Sequence, residues 1–105
     1  MIWRIRERSA FTRLAREGRR TRAGVLWCTY LPDPVATPPR VAYALGRAIG
    51  PAVVRNRLRR QIRALLDATS LPPGWYLIGA QPAAARRSRD ELVFDVQRLL
   101  DSVGA

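Results

Sequence analysis

A chain of 105 residues, 48% of them hydrophobic, makes one domain with a real core. Its net charge is +11 and all nineteen basic residues are arginine, which points to nucleic acid or an anionic membrane surface as partner. The apolar runs are far short of a bilayer span, the charged opening MIWRIRERSAF does not read as a signal peptide, and the lone Cys28 permits no internal disulfide and suits a reducing cytoplasm.

Ser9 is a candidate N-cap, and Phe11, Leu14 and Ala15 follow at helical spacing until Gly18 offers a stop. A first helix is therefore expected over about Ser9 to Glu17, with Arg13 and Arg16 turned outward. Arg19 to Arg22 suits a short basic edge strand. Val25 to Leu31 is rich in β-formers and reads as a strand. Alternation puts Val25, Trp27 and Thr29 on one face and Leu26, Cys28 and Tyr30 on the other. Four prolines between Pro32 and Pro39 mark a loop. Arg40 to Leu45 is the next strand, with Val41, Tyr43 and Leu45 alternating against Ala42 and Ala44.

Gly46 to Gly50 turns the chain, and Pro51 suits a first helical position. Nothing breaks a helix from there to about Ala68. At about 100° per residue, Val54, Leu58, Ile62, Leu65 and Leu66 gather into an apolar arc of roughly 120°. Asn56, Arg57, Arg59, Arg60 and Arg63 fan around the opposite side, and Arg55 sits at the edge of the arc. LPPG, Leu71 to Gly74, ends this region. Trp75 to Ala80 is a further strand, and Gln81 to Arg87 a loop. Ser88 with Glu91 makes a capping box for a last amphipathic helix carrying Leu92, Val93, Val96, Leu99 and Leu100. The order is αβββαβα. That is an α+β fold: a two-layer α/β sandwich over a mixed four-stranded sheet.

The arginine face of the long helix is unusual in what it lacks. No acid interrupts the chain from Arg40 to Leu66, so i,i+4 ion pairs do not neutralise the face. Like charges one turn apart repel unless an anion meets them, and the guanidinium fork fits phosphate oxygens two at a time. GRAIGPAVVRNRLRRQIR resembles the RNR helix of the protein subunit of bacterial ribonuclease P. The match covers ten positions at fixed spacing: Arg47, Gly50, Ala52, Val53, Arg55, Asn56, Arg57, Arg59, Arg60 and Arg63. It extends upstream to Phe11 and, more weakly, to the C-terminus.

The resemblance implies a left-handed crossover in the βαβ unit around this helix, where parallel crossovers are otherwise almost always right-handed. It implies a catalytic RNA and precursor tRNA as partners. It also implies that Arg47, Arg55, Asn56, Arg57, Arg59, Arg60 and Arg63 bind the catalytic RNA. The single-stranded 5′ leader is then held between the first helix and the sheet, by Phe11, Arg13, Trp27 and Thr29. The reaction it implies is endonucleolytic removal of the leader, with Mg²⁺ used by the RNA and no cofactor bound by the protein alone. Ala48, Ala15, Thr29 and Ala80 stand where the family often has a basic residue, an aromatic, a tyrosine and a basic residue.

The residues agree with a non-catalytic role. Histidine is absent, so the commonest general base near neutral pH is missing. None of the eight acids lies in a clear strand, and the five in or near the last two helices read as helix surface and caps. No H-x-x-x-H, C-x-x-C or D-x-D spacing suggests a metal. Cys28 has no base beside it and reads as a small buried strand residue. A ribosomal or other structured-RNA binding protein is the alternative. A DNA-binding or membrane-surface helix is disfavoured, because no second helix lies close enough in sequence for a helix-turn-helix.

Overall fold

The computed structural model describes residues 1–104. Three helices, Arg8–Glu17 (α1), Ala52–Asp67 (α2) and Arg89–Gly104 (α3), pack on strands Trp3–Arg4 (β1), Arg19–Ala23 (β2), Leu26–Pro32 (β3), Arg40–Ala44 (β4) and Gly74–Ala80 (β5). The sheet order is β1-β4-β5-β3-β2. β3 runs antiparallel to β2 and to β5, while β4 is parallel to β5, and α2 makes the crossover between that parallel pair.

Alternation along β5 explains the layers. Tyr76 and Ile78 point into the main core with Leu26, Cys28 and Val41, under Leu58, Ile62 and Leu66 of α2 and Leu92, Val96 and Leu99 of α3. Trp75 and Leu77 point to the opposite face, where Ile5, Ala10 and Leu14 cover them. The sandwich of sheet and long helices thus carries α1 on its far side. Within β3 the faces are as expected, with Leu26 and Cys28 buried in the main core and Trp27 and Thr29 half-buried on the α1 side, but Val25, just ahead of the strand, packs against the main core instead of sharing the Trp27 face. The capping box also forms. Ser88 N–H donates to Glu91 Oε1 at 2.9 Å, and Glu91 N–H donates to Ser88 Oγ at 3.2 Å.

Four further expectations need correction. The sheet has five strands rather than four. β1 is only two residues long, too short for a periodic signal, and it exists because Trp3 and Arg4 pair with Arg40 and Val41. The Ile2 N–H also donates to Asp67 Oδ1 at 3.1 Å, tying the start of the chain to the end of α2. Second, α1 starts at Arg8, with Glu7 in the cap position and no side-chain cap, so Ser9 lies inside the first turn. Just ahead of that helix, Ile5 is buried beside Ala10 and Leu14. Third, Pro51 precedes α2 as its cap residue, at φ −61° and ψ 163°, rather than occupying the first turn. Fourth, Asp95 is not on a helix surface. It is fully buried and forked by Arg87, with Arg87 Nε to Asp95 Oδ2 at 2.9 Å and Nη2 to Oδ1 at 2.8 Å.

Gly18 does end α1, but in an extended conformation, φ −68° and ψ 151°. Its lack of a side chain matters for space instead. A Cβ there would collide with the Leu14 carbonyl and crowd the Thr29 methyl, so glycine lets α1 lie close on β3.

Candidate nucleic-acid interface

The outer face of α2 is a field of free guanidinium groups. Arg57, Arg60 and Arg63 are exposed, as is Arg47 in the short 3₁₀ turn Arg47–Ile49 before the helix. Among the described residues, no carboxylate lies within ion-pair distance of Arg47, Arg55, Arg57, Arg59, Arg60 or Arg63. Two of the seven expected RNA-binding side chains are linked to each other, since Arg59 Nη1 donates to Asn56 Oδ1 at 2.7 Å. Arg55 is partly buried, and its Nε donates to the Gly50 carbonyl at 3.2 Å. It therefore braces the turn into α2 as well as adding charge.

Two grooves flank α1. The smaller, about 410 Å³, lies between α1 and the sheet and is lined by Phe11, Leu14, Ala15, Gly18, Arg20, Trp27, Thr29 and Leu77. Trp27 lies flat over Gly79, where any Cβ would strike the indole, and the Arg20 guanidinium sits 4.5 Å from its ring centre on β2. The larger groove, about 1170 Å³, wraps the outer edge of β4. β1 pairs only with Arg40 and Val41, so from Ala42 onward that edge is uncovered. Trp3, Phe11, Arg40, Tyr43, Arg59 and Arg63 all contribute to its walls. Phe11, 41% exposed, belongs to both grooves and forms the ridge between them.

The larger groove is electropositive and incompletely satisfied. Among the described residues, Tyr43 Oη and Arg40 Nη1 are buried with no hydrogen-bond partner. Burial pushes the Tyr43 phenol up to about 12, against the opposing pull of the Arg63 and Arg59 charges, so it stays a neutral donor. Acid–base chemistry finds little support elsewhere. Burial pushes the Cys28 thiol up to about 12. Asp33 is held below the usual carboxylate range, first by the Trp75 indole N–H and then by the Val35 N–H. Among the described residues, no three His, Cys, Asp or Glu side chains gather where they would hold a metal ion.

A unit of free arginines on one helix, continuous with a groove that carries aromatic walls, is built for a polyanion with unpaired bases. Comparison with known proteins agrees. A sequence model of the family described as Ribonuclease P matches residues 2–104. The chain belongs to the ribonuclease P protein family.

The ribonuclease P protein component of a Nocardioides species is 38% identical over 107 residues, covering 97% of this chain and 92% of that protein. That of Beutenbergia cavernae is 36% identical over 104 residues, covering 96% and 87%. The fold is similar to two solved ribonuclease P proteins. The one from Staphylococcus aureus gives a TM-score of 0.85 at 17% identity, covering 95% of this chain and 94% of that one. The one from Thermotoga maritima gives 0.82 at 19% identity, covering 94% and 96%.

The residues expected from the sequence fall into three groups. Arg57, Arg60 and Arg63, with Arg47, form the free face, and Arg55, Asn56 and Arg59 support or border it. Phe11, Trp27 and Thr29 come together in the smaller groove. Arg13 lines neither groove: it is exposed, with Glu17 3.9 Å away. Sequence reasoning missed Trp3, Arg20, Arg40 and Tyr43 as groove residues. Trp3 and Ile5 do alternate with Arg4 and Arg6, which is a strand signal. Arg20 and Arg40 reach the grooves through strand pairings that no spacing along the chain reveals.

Proposed function

We propose that the chain is the protein subunit of a ribonucleoprotein that removes the 5′ leader from precursor tRNA in the cytoplasm. The catalytic RNA packs against the arginine face of α2, with Arg47, Arg57, Arg60 and Arg63 meeting its phosphates. The leader lies across the ridge at Phe11. It stacks there and against Trp27, and its phosphates are neutralised by Arg20 on one side and by Arg59 and Arg63 on the other. Hydrolysis of the phosphodiester leaves the mature tRNA 5′ end. Mg²⁺ serves the RNA in this step, and the protein orients the two nucleic acids.

One observation carries the reading. The free α2 face runs into the aromatic groove at Arg63, and Arg59, at the border of that face, lines the same groove. One protein can therefore hold a structured RNA and a single strand side by side. The chemistry belongs to the RNA because the chain offers no histidine, and its buried carboxylate is committed to Arg87. RNA-free protein incubated with precursor tRNA and Mg²⁺ is expected to leave the substrate intact, and adding the co-purifying RNA should restore cleavage at the mature 5′ end. Site-specific cleavage by the protein alone would overturn this division of labour.

A further inference from the structure

The N-terminal edge of the sheet carries an aromatic ladder that the leader path over Phe11 does not use. Trp3, Arg40 and Trp75 lie in one row across β1, β4 and β5. The Arg40 guanidinium carbon is 4.7 Å from the Trp3 ring centre and 5.7 Å from that of Trp75. At the inner end the ladder is closed. Trp75 packs against Ile5, Ala10 and Leu14, and its indole N–H donates to Asp33 Oδ2 at 3.0 Å. At the outer end it is open, because Trp3 is 51% exposed.

Held on one face by a cation, Trp3 has its orientation fixed while still presenting apolar ring to water. A pre-ordered aromatic surface loses little side-chain entropy when something stacks on it. Arg4 and Arg6, both exposed, alternate with Trp3 along the segment and line the same larger groove around the sheet edge. The charge around the ladder is positive, and Arg40 Nη1 lacks a partner among the described residues. A flat, uncharged group attached to a polyanion matches all three features.

We propose that Trp3 is a stacking site for one unpaired nucleobase of the single-stranded RNA in the larger groove, in the order base, Trp3, Arg40, Trp75. The adjoining phosphates fall to Arg4 and Arg6. This rests on the reading that a single strand occupies the groove, and it adds a second stacking point to the one at Phe11.

The test uses the full chain, a short single-stranded RNA of mixed sequence and a duplex of equal length. Trp3→Leu should weaken single-strand binding about tenfold, within the range for one stacked base. Trp3→Phe should recover most of that affinity, and duplex binding should not change. Stacking releases no counterions, so the loss should be equal at low and high salt. A base on the indole also quenches its fluorescence, so Trp3→Phe should lose part of the quenching seen on titrating the parent protein.

Full affinity in Trp3→Leu while Phe11→Ala weakens binding would overturn the Trp3 site and leave the groove intact. Full affinity in both variants would remove the groove reading as well. A loss that disappears at high salt would assign the effect to neighbouring charges, and unchanged quenching in Trp3→Phe would place the base elsewhere. Either result overturns the proposal.

Discussion

Asp95 shows how much can hang on one side chain. It is 1% exposed, and Arg87 reaches it with two nitrogens, the closest contact being 2.7 Å. Removing one partner of a buried pair strands the other charge. Asp95→Ala should therefore cost about 3 kcal/mol, at the low end for such pairs because Arg87 keeps some water contact. Glu91→Ala removes an exposed carboxylate from the same arginine together with its half of the capping box with Ser88, and should still cost less, about 1 kcal/mol. Urea titrations of both variants check this, and equal midpoints would mean that burial adds nothing to the pair. The position was partly legible. Asp95 lies three residues after Leu92 and one before Val96, on the stripe that α3 buries, so its phase announced burial that its charge disguised. Its partner was not legible, because Arg87 lies outside the helix and only the turn after the 3₁₀ segment Pro82–Arg86 aims it inward.

Among the elements, α2 was the most legible. Its apolar phase, its proline start and its arginine face all point to one helix, and Leu58, Ile62 and Leu66 are the residues it buries. What spacing along the chain did not separate is free charge from committed charge. Arg55 is tied to Gly50 and Arg59 to Asn56, while Arg57 and Arg60 point into solvent. That division gives a quantitative expectation. Each phosphate neutralised on a structured RNA contributes a slope of about −0.7 to −0.9 in log K against log salt. Arg57→Ala and Arg60→Ala should each weaken RNA binding and flatten the slope by about one unit. Filter binding across a salt series measures both quantities. If the slope stays at the parent value in both variants, the face is only solvated surface.

At the scale of the whole molecule, the sequence shows the helices and most strands but not their neighbours. The order β1-β4-β5-β3-β2 brings the N-terminal segment against β4 and leaves the rest of that edge uncovered, which creates the larger groove. The same arrangement puts α1 on the face away from α3, with Phe11 between two grooves. Precursor and mature tRNA differ in the single-stranded leader, so a protein that distinguishes them has to touch that segment. A stacked base is worth about 1–3 kcal/mol by alanine substitution. Phe11 is 41% exposed on a short helix whose buried residues are Ala10 and Leu14, so its truncation should leave the fold intact. With the catalytic RNA present, Phe11→Ala is expected to bind leader-bearing precursor at least about five-fold more weakly. Affinity for mature tRNA should be unchanged, and circular dichroism should match the parent. Equal losses for both ligands would move Phe11 from leader recognition to general RNA contact. No loss for either would take the ridge out of the leader path.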